Sequence, residues 1–259
     1  TFIKKKLNGK DDWNFSIEWV FQNTKYKNSI TLLDRWERFK RVINSNLKDI
    51  SSNDLNFKDK VVLELGCGPL LGFAPIAIFL GAKDYFYSEP YLNLSTLKSK
   101  KVKNQIFFNL FKELVANYGS LMDFDEFYNK ILSCKPIDIL DKNIDMTISV
   151  SVLEHLDNNS LNKLLKTSFK YSKNNSIYFH SVDFGHHQKG SKDLDRLYRN
   201  SIHKKIPTIN LLRKSDIFKI FESLKFGKNF SFTYRYAKFD PSIVHNTWKK
   251  YSDDDLASR

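Results

Sequence analysis

The sequence predicts an α/β protein built on a doubly wound, mainly parallel sheet. Short, nearly continuous apolar runs alternate along the chain with amphipathic stretches of helical spacing. A glycine-rich turn separates the first apolar run from the following helix, and an acidic residue ends the second run. The chain has 259 residues, of which 41% are hydrophobic, so one such domain with modest insertions can bury a sizeable core.

The first elements are a helical segment and a β–α–β unit. Residues 11–50 carry apolar residues at helical spacing, so we expect an N-terminal helical segment over 1–55, followed by the main domain over 56–259. Residues 61–65 are apolar on both faces, as in a buried parallel strand. A helix over 74–80 and a second strand over 85–88 complete the unit.

The later elements continue the alternation. Residues 105–135 are predicted to be a helical insertion, 145–150 a buried strand, and 160–171 a helix with Ser160 as its cap and Phe169 facing inward. Further elements are expected as a strand over 177–182, a polar insertion or lid over 184–212, a helix over 215–224 and a late strand over 230–237.

The charge, the cysteines and the apolar runs of the sequence indicate which partners and which compartment to expect. The net charge of +13 favours anionic partners, but the lysines are spread along the chain, which is more typical of overall composition than of a nucleic-acid surface. Cys67 and Cys134 have no metal-type spacing and give no disulfide framework, so we expect a reducing cytoplasm. No run reaches the ~18 apolar residues of a membrane span, and we expect neither a span nor a signal peptide.

The turn from Glu64 to Gly72 is the strongest local signal. It reads Glu-Leu-Gly-Cys-Gly-Pro-Leu-Leu-Gly between a strand and a helix, where glycines let a ligand approach the backbone. Its third glycine comes one position later than in a dinucleotide fingerprint, and no phosphate-loop Lys-Ser or Lys-Thr pair follows. A tight turn without a ligand is the alternative.

This turn resembles the cofactor loop of class I S-adenosylmethionine-dependent methyltransferases. The resemblance covers residues 60–183 and implies a Rossmann-like, seven-stranded sheet. It also implies that Gly66, Cys67 and Gly68 lie against the methionine part of S-adenosylmethionine. The carboxylate of Glu64 would lie near the cofactor's amino group, which is favourable charge pairing.

Glu89 is the second acidic position. It ends the second strand, 21 residues after Gly68, and such sheets place an acid about 20 residues after the loop to bind ribose hydroxyls. Pro90 helps to end the strand beside the ligand. The resemblance places adenine near Asp138, which could accept from its amino group or be an ordinary loop residue. An exposed strand-end glutamate is the alternative for Glu89.

The fourth strand ends in Ser-Val-Ser-Val-Leu-Glu-His, which resembles the same family's strand ending. The resemblance implies that Ser149 and Ser151 border the cofactor and that Glu154 and His155 lie near the substrate. A His–Glu pair could act as a general base, since imidazole titrates near neutrality. Support of the loop by Glu154 and His155 is the alternative.

Histidines and an aspartate follow the fifth strand. Here His180 or His187 could take a hydroxyl proton, with Asp183 beside it. Two other interpretations are a divalent metal held by Asp183 and histidines, and a hydrogen-bonded loop without chemistry. Our prediction assigns no metal.

The segment after this strand also resembles a bacterial branch acting in surface-polysaccharide and small-metabolite biosynthesis. That likeness includes an Asn-x-Leu-Arg-x-Ser-Asp stretch, here 210–216. Four basic residues could form a lid that grips an anionic substrate or could be a solvated face: Arg196, Arg199, His203 and Arg213.

Together these features predict O-methylation of a sugar, glycan or small hydroxylated metabolite. The alternatives are N-methylation, nucleic-acid methylation, a catalytically dead cofactor-binding scaffold and a nicotinamide dehydrogenase. Nucleic acid is disfavoured because no Asn-Pro-Pro-Tyr-like or Asp-Pro-Pro-Tyr-like motif is present. The dehydrogenase is disfavoured by the glycine spacing. The sequence does not specify an oligomeric state.

Overall fold

The computed structural model describes residues 15–22, 29–46, 55–139, 143–185, 194–202, 209–224 and 237–258. Within these ranges, only the backbone is described for 29–31, 44–46 and Arg196.

A five-stranded sheet organises the described residues, with the order β3-β2-β1-β4-β5. Its strands are β1 (Val61–Leu65), β2 (Asp84–Ser88), β3 (Lys135–Pro136), β4 (Ile144–Val150) and β5 (Ser172–Ser181). β1 runs parallel to both β2 and β4, and β2 runs parallel to β3. The strand order therefore reverses between β1 and β4, which is the topological switch point where open α/β sheets bind ligands.

β5 also runs parallel to its neighbour. The Ile144 N–H donates to the Tyr171 carbonyl at the start of the pair, and the Ser149 and His180 side chains meet near its end. The contacts follow the same order along both strands, so the described sheet is parallel from β3 to β5.

Two sequence predictions about the sheet are wrong, namely the number of strands and the first residue of β5. The described part of the chain has five strands and not seven, and one of the five, β3, is only two residues long. The predicted late strand at 230–237 lies outside the described residues except for Ala237. β5 begins at Ser172, five residues earlier than predicted.

Eleven α-helical segments connect and flank the described strands. They are α1 (Ile17–Gln22), α2 (Ser29–Asn46), α3 (Ala74–Phe79), α4 (Leu94–Lys98), α5 (Lys100–Val102), α6 (Phe108–Tyr118), α7 (Phe124–Leu132), α8 (Asn158–Lys170), α9 (Leu194–Tyr198), α10 (Lys214–Ser223) and α11 (Asp253–Ala257). A π-helical turn, Lys103–Phe107, joins α5 to α6. The predicted helical insertion over 105–135 is thus helical through most of its length. None of the described helices combines the length and apolar character needed to cross a membrane.

The helix α8 differs from its prediction at both ends. It begins at Asn158, because the Asp157 carboxylate accepts the N–H groups of Asn159 and Ser160 and so caps the first turn. Asp157, rather than Ser160, is therefore the capping residue. Phe169, predicted to face inward, is 40% exposed, whereas Leu161 and the two leucines one turn later are buried as predicted.

The described residues divide into two units. The first contains the described parts of 11–149 and 170–180, and the second contains those of 150–169 and 181–259. In the first unit, Trp36 and Phe39 of α2 pack with Phe57, Phe73 and Phe179 at ring-centroid distances of 4.8 to 6.2 Å. The N-terminal helix therefore shares a core with the sheet, while the predicted boundary at 55/56 stays a prediction.

The second unit has a core of its own. Its buried residues are Leu194, Leu197, Tyr198, Ile209, Leu211, Trp248 and Leu256. They come from α9, from the segment before α10 and from the C-terminal part of the chain. The described residues 194–198 and 209–211 of the polar stretch after β5 therefore pack against residues from the C-terminal part of the chain.

Candidate functional site

The turn after β1 lies at the switch point of the sheet. Gly66, Gly68 and Gly72 have φ angles of 70°, 69° and 52°, a region that side chains disfavour. The Gly66 N–H donates to the Ser88 carbonyl at the end of β2 over 2.8 Å. Leu71 also has a positive φ of 59°, so this turn holds a strained non-glycine residue beside its third glycine.

The carboxylate of Glu64 lies beneath this turn. The side chain is 3% exposed, and its Oε2 accepts the Phe73 N–H at 2.9 Å and the Tyr85 hydroxyl at 2.6 Å. Phe73 immediately precedes α3, so the carboxylate satisfies one of the N–H groups that a helix start leaves unpaired. Glu64 therefore supports the turn from below, and its predicted pairing with the cofactor's amino group stays a prediction.

Burial changes the acidity of Glu64. Removal from water raises the pKa of its carboxyl from 4.5 to about 7, although the hydrogen bonds from Tyr85 and Phe73 act in the opposite direction. Ionisation of the buried Glu64 carboxyl is unfavourable in free energy, because only a few hydrogen-bond donors replace the water that would otherwise solvate the charge.

The Glu64 carboxylate lies so close to position 72 that only glycine fits there. A Cβ atom built at position 72 would lie 2.2 Å from Glu64 Oε2 and 2.3 Å from Oε1. Both distances are far below van der Waals contact, so no other residue fits without moving the carboxylate. The sequence marked Gly72 as the late third glycine of the turn, and the structure shows that the Glu64 carboxylate requires a glycine there. Tyr85, which donates to that carboxylate, is a site residue that the sequence did not reveal.

Glu89 joins the turn to the end of β2. Its Oε2 accepts the Gly68 N–H at 3.0 Å and its Oε1 accepts the Tyr91 N–H at 3.2 Å. The side chain is half-buried, unlike that of Glu64. Both oxygens of this carboxylate therefore act as hydrogen-bond acceptors at the end of β2.

The predicted contact between Glu89 and the ribose of a bound nucleoside stays a prediction. A ribose presents two adjacent hydroxyl donors, and a carboxylate is a suitable acceptor for such groups. Pro90 follows at the strand end and is partly exposed, whereas the Cys67 thiol is buried and its pKa is raised by desolvation. Asp138 lies exposed in a one-turn 3₁₀ helix, so its predicted contact with adenine stays a prediction.

Ser149 and His180 form a pair at the ends of β4 and β5. The Ser149 hydroxyl lies 2.7 Å from His180 Nδ1, and Ser149 itself is fully buried. The residue His180 is partly exposed, but its Nε2 atom is buried, and the resulting desolvation lowers the imidazole pKa from 6.5 to about 4. The ring is therefore neutral at pH 7, which is the protonation state a base requires.

The second unit contains the other predicted catalytic residues that the structure describes. Glu154 is 3% exposed, and its Oε1 accepts the Asp183 N–H at 3.2 Å. Asp183 Oδ1 in turn accepts the Gly185 N–H at 2.8 Å. His155 is partly buried next to Glu154, and Ser151 is exposed with a positive φ of 55°. The structure thus connects Glu154 to Asp183, whereas His187 lies outside the described residues.

The predicted basic lid is wrong for one of its four residues. Arg213 is 1% exposed and packs among aromatic rings in the second unit, so it is a core residue rather than part of a mobile surface. Arg199 is exposed, whereas His203 and the side chain of Arg196 lie outside the described residues. Within the described ranges, no group of three or more His, Cys, Asp and Glu residues is placed to hold a metal ion.

The chain is similar to several solved structures, at low sequence identity. No protein-family model and no curated protein matches the chain. Among solved structures, it is similar to the PRMT1 enzyme–prozyme complex of Trypanosoma brucei with AdoHcy (18% identity, 58% of this chain, 40% of that chain, TM-score 0.30). It is also similar to a methyltransferase structure from Listeria monocytogenes described as S-adenosylmethionine dependent (15% identity, 60% and 55%, TM-score 0.32).

A third similarity is to the magnesium protoporphyrin IX methyltransferase ChlM of Synechocystis PCC 6803 with bound SAH. Here the identity is 12%, the match covers 77% of this chain and 85% of that chain, and the TM-score is 0.37. The chain spans less than two thirds of the trypanosomal and Listeria chains, at 40% and 55% of their lengths.

Proposed function

We propose that this protein is a class I S-adenosylmethionine-dependent methyltransferase that methylates a hydroxyl oxygen of a sugar, glycan or small hydroxylated metabolite. One observation carries the proposal. At the switch point of a parallel sheet, a partly exposed carboxylate at the end of β2 holds the backbone of the glycine turn after β1. The Glu-Leu-Gly-Cys-Gly-Pro sequence of that turn supports the same conclusion.

In this proposal the first unit binds the cofactor. The backbone of Gly66 to Gly68 lies against its methionine part, and Glu89 accepts from its ribose hydroxyls. Glu64 and Gly72 keep the turn in shape from below. Ser149 and Asp138 are proposed to border the cofactor's sulfur and its adenine, respectively.

The bound cofactor supplies a methyl group on a sulfonium centre, which is already a good leaving group. The chain's own residues then have to place the acceptor oxygen in line with that methyl group and remove its proton. Methyl transfer would exchange the cofactor's carbon–sulfur bond for a carbon–oxygen bond on the acceptor, and the hydroxyl proton would pass to a base of the chain. We propose the neutral imidazole of His180 as this base, with Glu154, His155, Asp183 and His187 as residues that contact the acceptor.

Methyl transfer can be measured directly. The purified protein would be incubated with methyl-labelled S-adenosylmethionine and separate panels of neutral sugars, sugar acids, amines and short RNA or DNA. Label in the hydroxyl-bearing panels is expected. Label confined to amines or to nucleic acid would replace the proposed substrate class, and binding of S-adenosylhomocysteine without transfer to any panel would make the protein a scaffold.

Glu89→Gln tests the cofactor assignment. The amide preserves the shape of the side chain but removes its charge and half of its acceptor capacity, and hydrogen bonds to charged groups contribute about 1.5–3 kcal/mol. The affinity for S-adenosylhomocysteine should therefore fall by roughly 10- to 150-fold in calorimetric titration. Glu222→Gln, an exposed glutamate on α10, is the matched control and should bind normally. Unchanged affinity in Glu89→Gln would contradict the ribose assignment.

A further inference from the structure

Asn210 makes four hydrogen bonds in the second unit. Its side-chain Nδ2 donates to the carbonyls of Leu153 and Leu156, each at 2.8 Å, and its backbone N–H donates to the Glu154 carbonyl at 2.7 Å. Its Oδ1 accepts the Leu212 N–H at 3.1 Å. Asn210 therefore donates to three carbonyls of the turn that follows β4, and both N–H groups of its side-chain amide take part.

Arg213 makes a comparable contact with residues 182–185, the described part of the loop after β5. Its Nη1 donates to the Phe184 carbonyl at 2.9 Å and to the Tyr198 hydroxyl at 3.1 Å. The guanidinium carbon lies 5.4 to 5.9 Å from the ring centroids of Phe184, Tyr198 and Trp248. Cation–π attraction from three rings offsets part of the cost of burying this charge.

The turn after β4 and the loop after β5 are also joined to each other by a hydrogen bond. Glu154 belongs to the turn held by Asn210, and its carboxylate accepts the N–H of Asp183, the residue before Phe184. Leu211 lies between Asn210 and the arginine with a positive φ of 61°. A non-glycine residue keeps such a conformation only where its surroundings enforce it, so the segment 210–213 is held in one fixed shape.

We propose that Asn210 and Arg213 are positioning residues for methyl transfer, which hold the turn after β4 and the loop after β5 in the single arrangement that the acceptor requires. This inference rests on the proposed function, because Glu154 and Asp183 are the residues proposed there to contact the acceptor. Neither Asn210 nor Arg213 needs to touch the acceptor or the cofactor. Their effect is transmitted through the carbonyls of Leu153, Leu156 and Phe184.

Asn210→Asp is the sharpest test. It preserves size and the acceptor oxygen but replaces the two N–H donors with a carboxylate oxygen facing two carbonyls. Asn162→Asp is the matched control, because the Asn162 amide also donates to a backbone carbonyl, but at the surface of α8. Arg213→Met retains the buried bulk without the donors, and Arg213→Lys retains the charge.

Hydrogen–deuterium exchange without any ligand provides the first readout. In Asn210→Asp we expect at least fivefold faster exchange both in peptides covering 153–156 and in peptides covering 183–185, with no change in the control. Faster exchange confined to residues around position 210 would overturn the proposed coupling of the two loops.

Kinetics with the acceptor found in the transfer assay provide the second readout. Asn210→Asp and Arg213→Met should lower kcat/KM for the acceptor at least tenfold while the affinity for S-adenosylhomocysteine stays within twofold, and Arg213→Lys should be intermediate. Equal losses of cofactor affinity and turnover, or a lower Tm with unchanged kinetics, would overturn the positioning role. Failure of the wild-type protein to bind S-adenosylhomocysteine would instead refute the proposed function, and the exchange result would separate the two failures.

Discussion

Alanine at position 72 would place a methyl group where the Glu64 carboxylate lies. The built Cβ would be 2.2 Å from Oε2, the atom that accepts both the Phe73 N–H and the Tyr85 hydroxyl. The carboxylate must move away, and both donors then lose their partner inside the protein. The φ of +52° adds a second cost for any residue with a side chain.

The size of the effect follows from these two costs. A left-handed backbone costs roughly 1–2 kcal/mol for an L-residue, and each buried donor without a partner costs about 1–3 kcal/mol. Allowing for partial relaxation, Gly72→Ala should lower the free energy of unfolding by about 3–5 kcal/mol. Urea unfolding followed by tryptophan fluorescence can measure this loss.

Gly81→Ala is the control for backbone strain alone. Gly81 has a φ of +89°, but a Cβ there would meet Lys58 Cγ at 3.6 Å, which is ordinary contact. Its loss should be about 1–2 kcal/mol, and the change in unfolded-state entropy on replacing Gly by Ala is common to both variants and cancels.

A double-mutant cycle isolates the clash. In a Glu64→Ala background there is no carboxylate to displace, so Gly72→Ala should cost only about as much as Gly81→Ala. Equal losses for Gly72→Ala and Gly81→Ala in the wild-type background, or an unchanged Gly72→Ala loss in the Glu64→Ala background, would refute the reasoning.

Two further predictions concern ionisation. The pKa of Glu64 rises from 4.5 to about 7 on folding, so its contribution to stability is complete below pH 4.5 and is lost as pH rises through 7, a change of about 3 kcal/mol. Glu64→Gln, whose amide oxygen can accept both bonds, should remove this loss in urea unfolding at pH 5 and pH 8; an unchanged pH dependence would contradict the raised pKa. Because the pKa of His180 is lowered to about 4, a wild-type protein that uses it as base should keep kcat/KM nearly constant from pH 8 down to about 5 and lose it near 4. His180→Ala should lower turnover by about 10²- to 10⁴-fold with cofactor affinity unchanged, and unaffected turnover would exclude it as the base.

Local patterns were sufficient for the centre of the fold. The apolar run at β1, the glycine turn and the second strand are adjacent in sequence, and their hydrophobic period and glycine spacing are properties of short segments. The position of Glu89 follows from the same spacing, since its carboxylate reaches Gly68 from the end of the neighbouring strand. These parts of the prediction agree with the structure because few long-range contacts decide them.

Tertiary contacts decided what the side chains do. Glu64 turns beneath the loop because Tyr85, diagonal to it across the β1–β2 pair, offers a buried hydroxyl, and this leaves room only for glycine at position 72. The sequence placed Arg213 either in a lid or on a solvated face, but the residue is buried, because it packs against rings at positions 184, 198 and 248.

The sequence by itself therefore determined the β–turn–α–β unit and the two acidic positions beside it, since neighbouring residues specify both. Only the tertiary structure decided which acid faces into the protein, which glycine is obligatory and how Asn210 reaches carbonyls 54 and 57 residues away. The physical reason is that hydrogen bonding and burial depend on which groups meet in space, and a pattern of residue types along the chain does not contain that information.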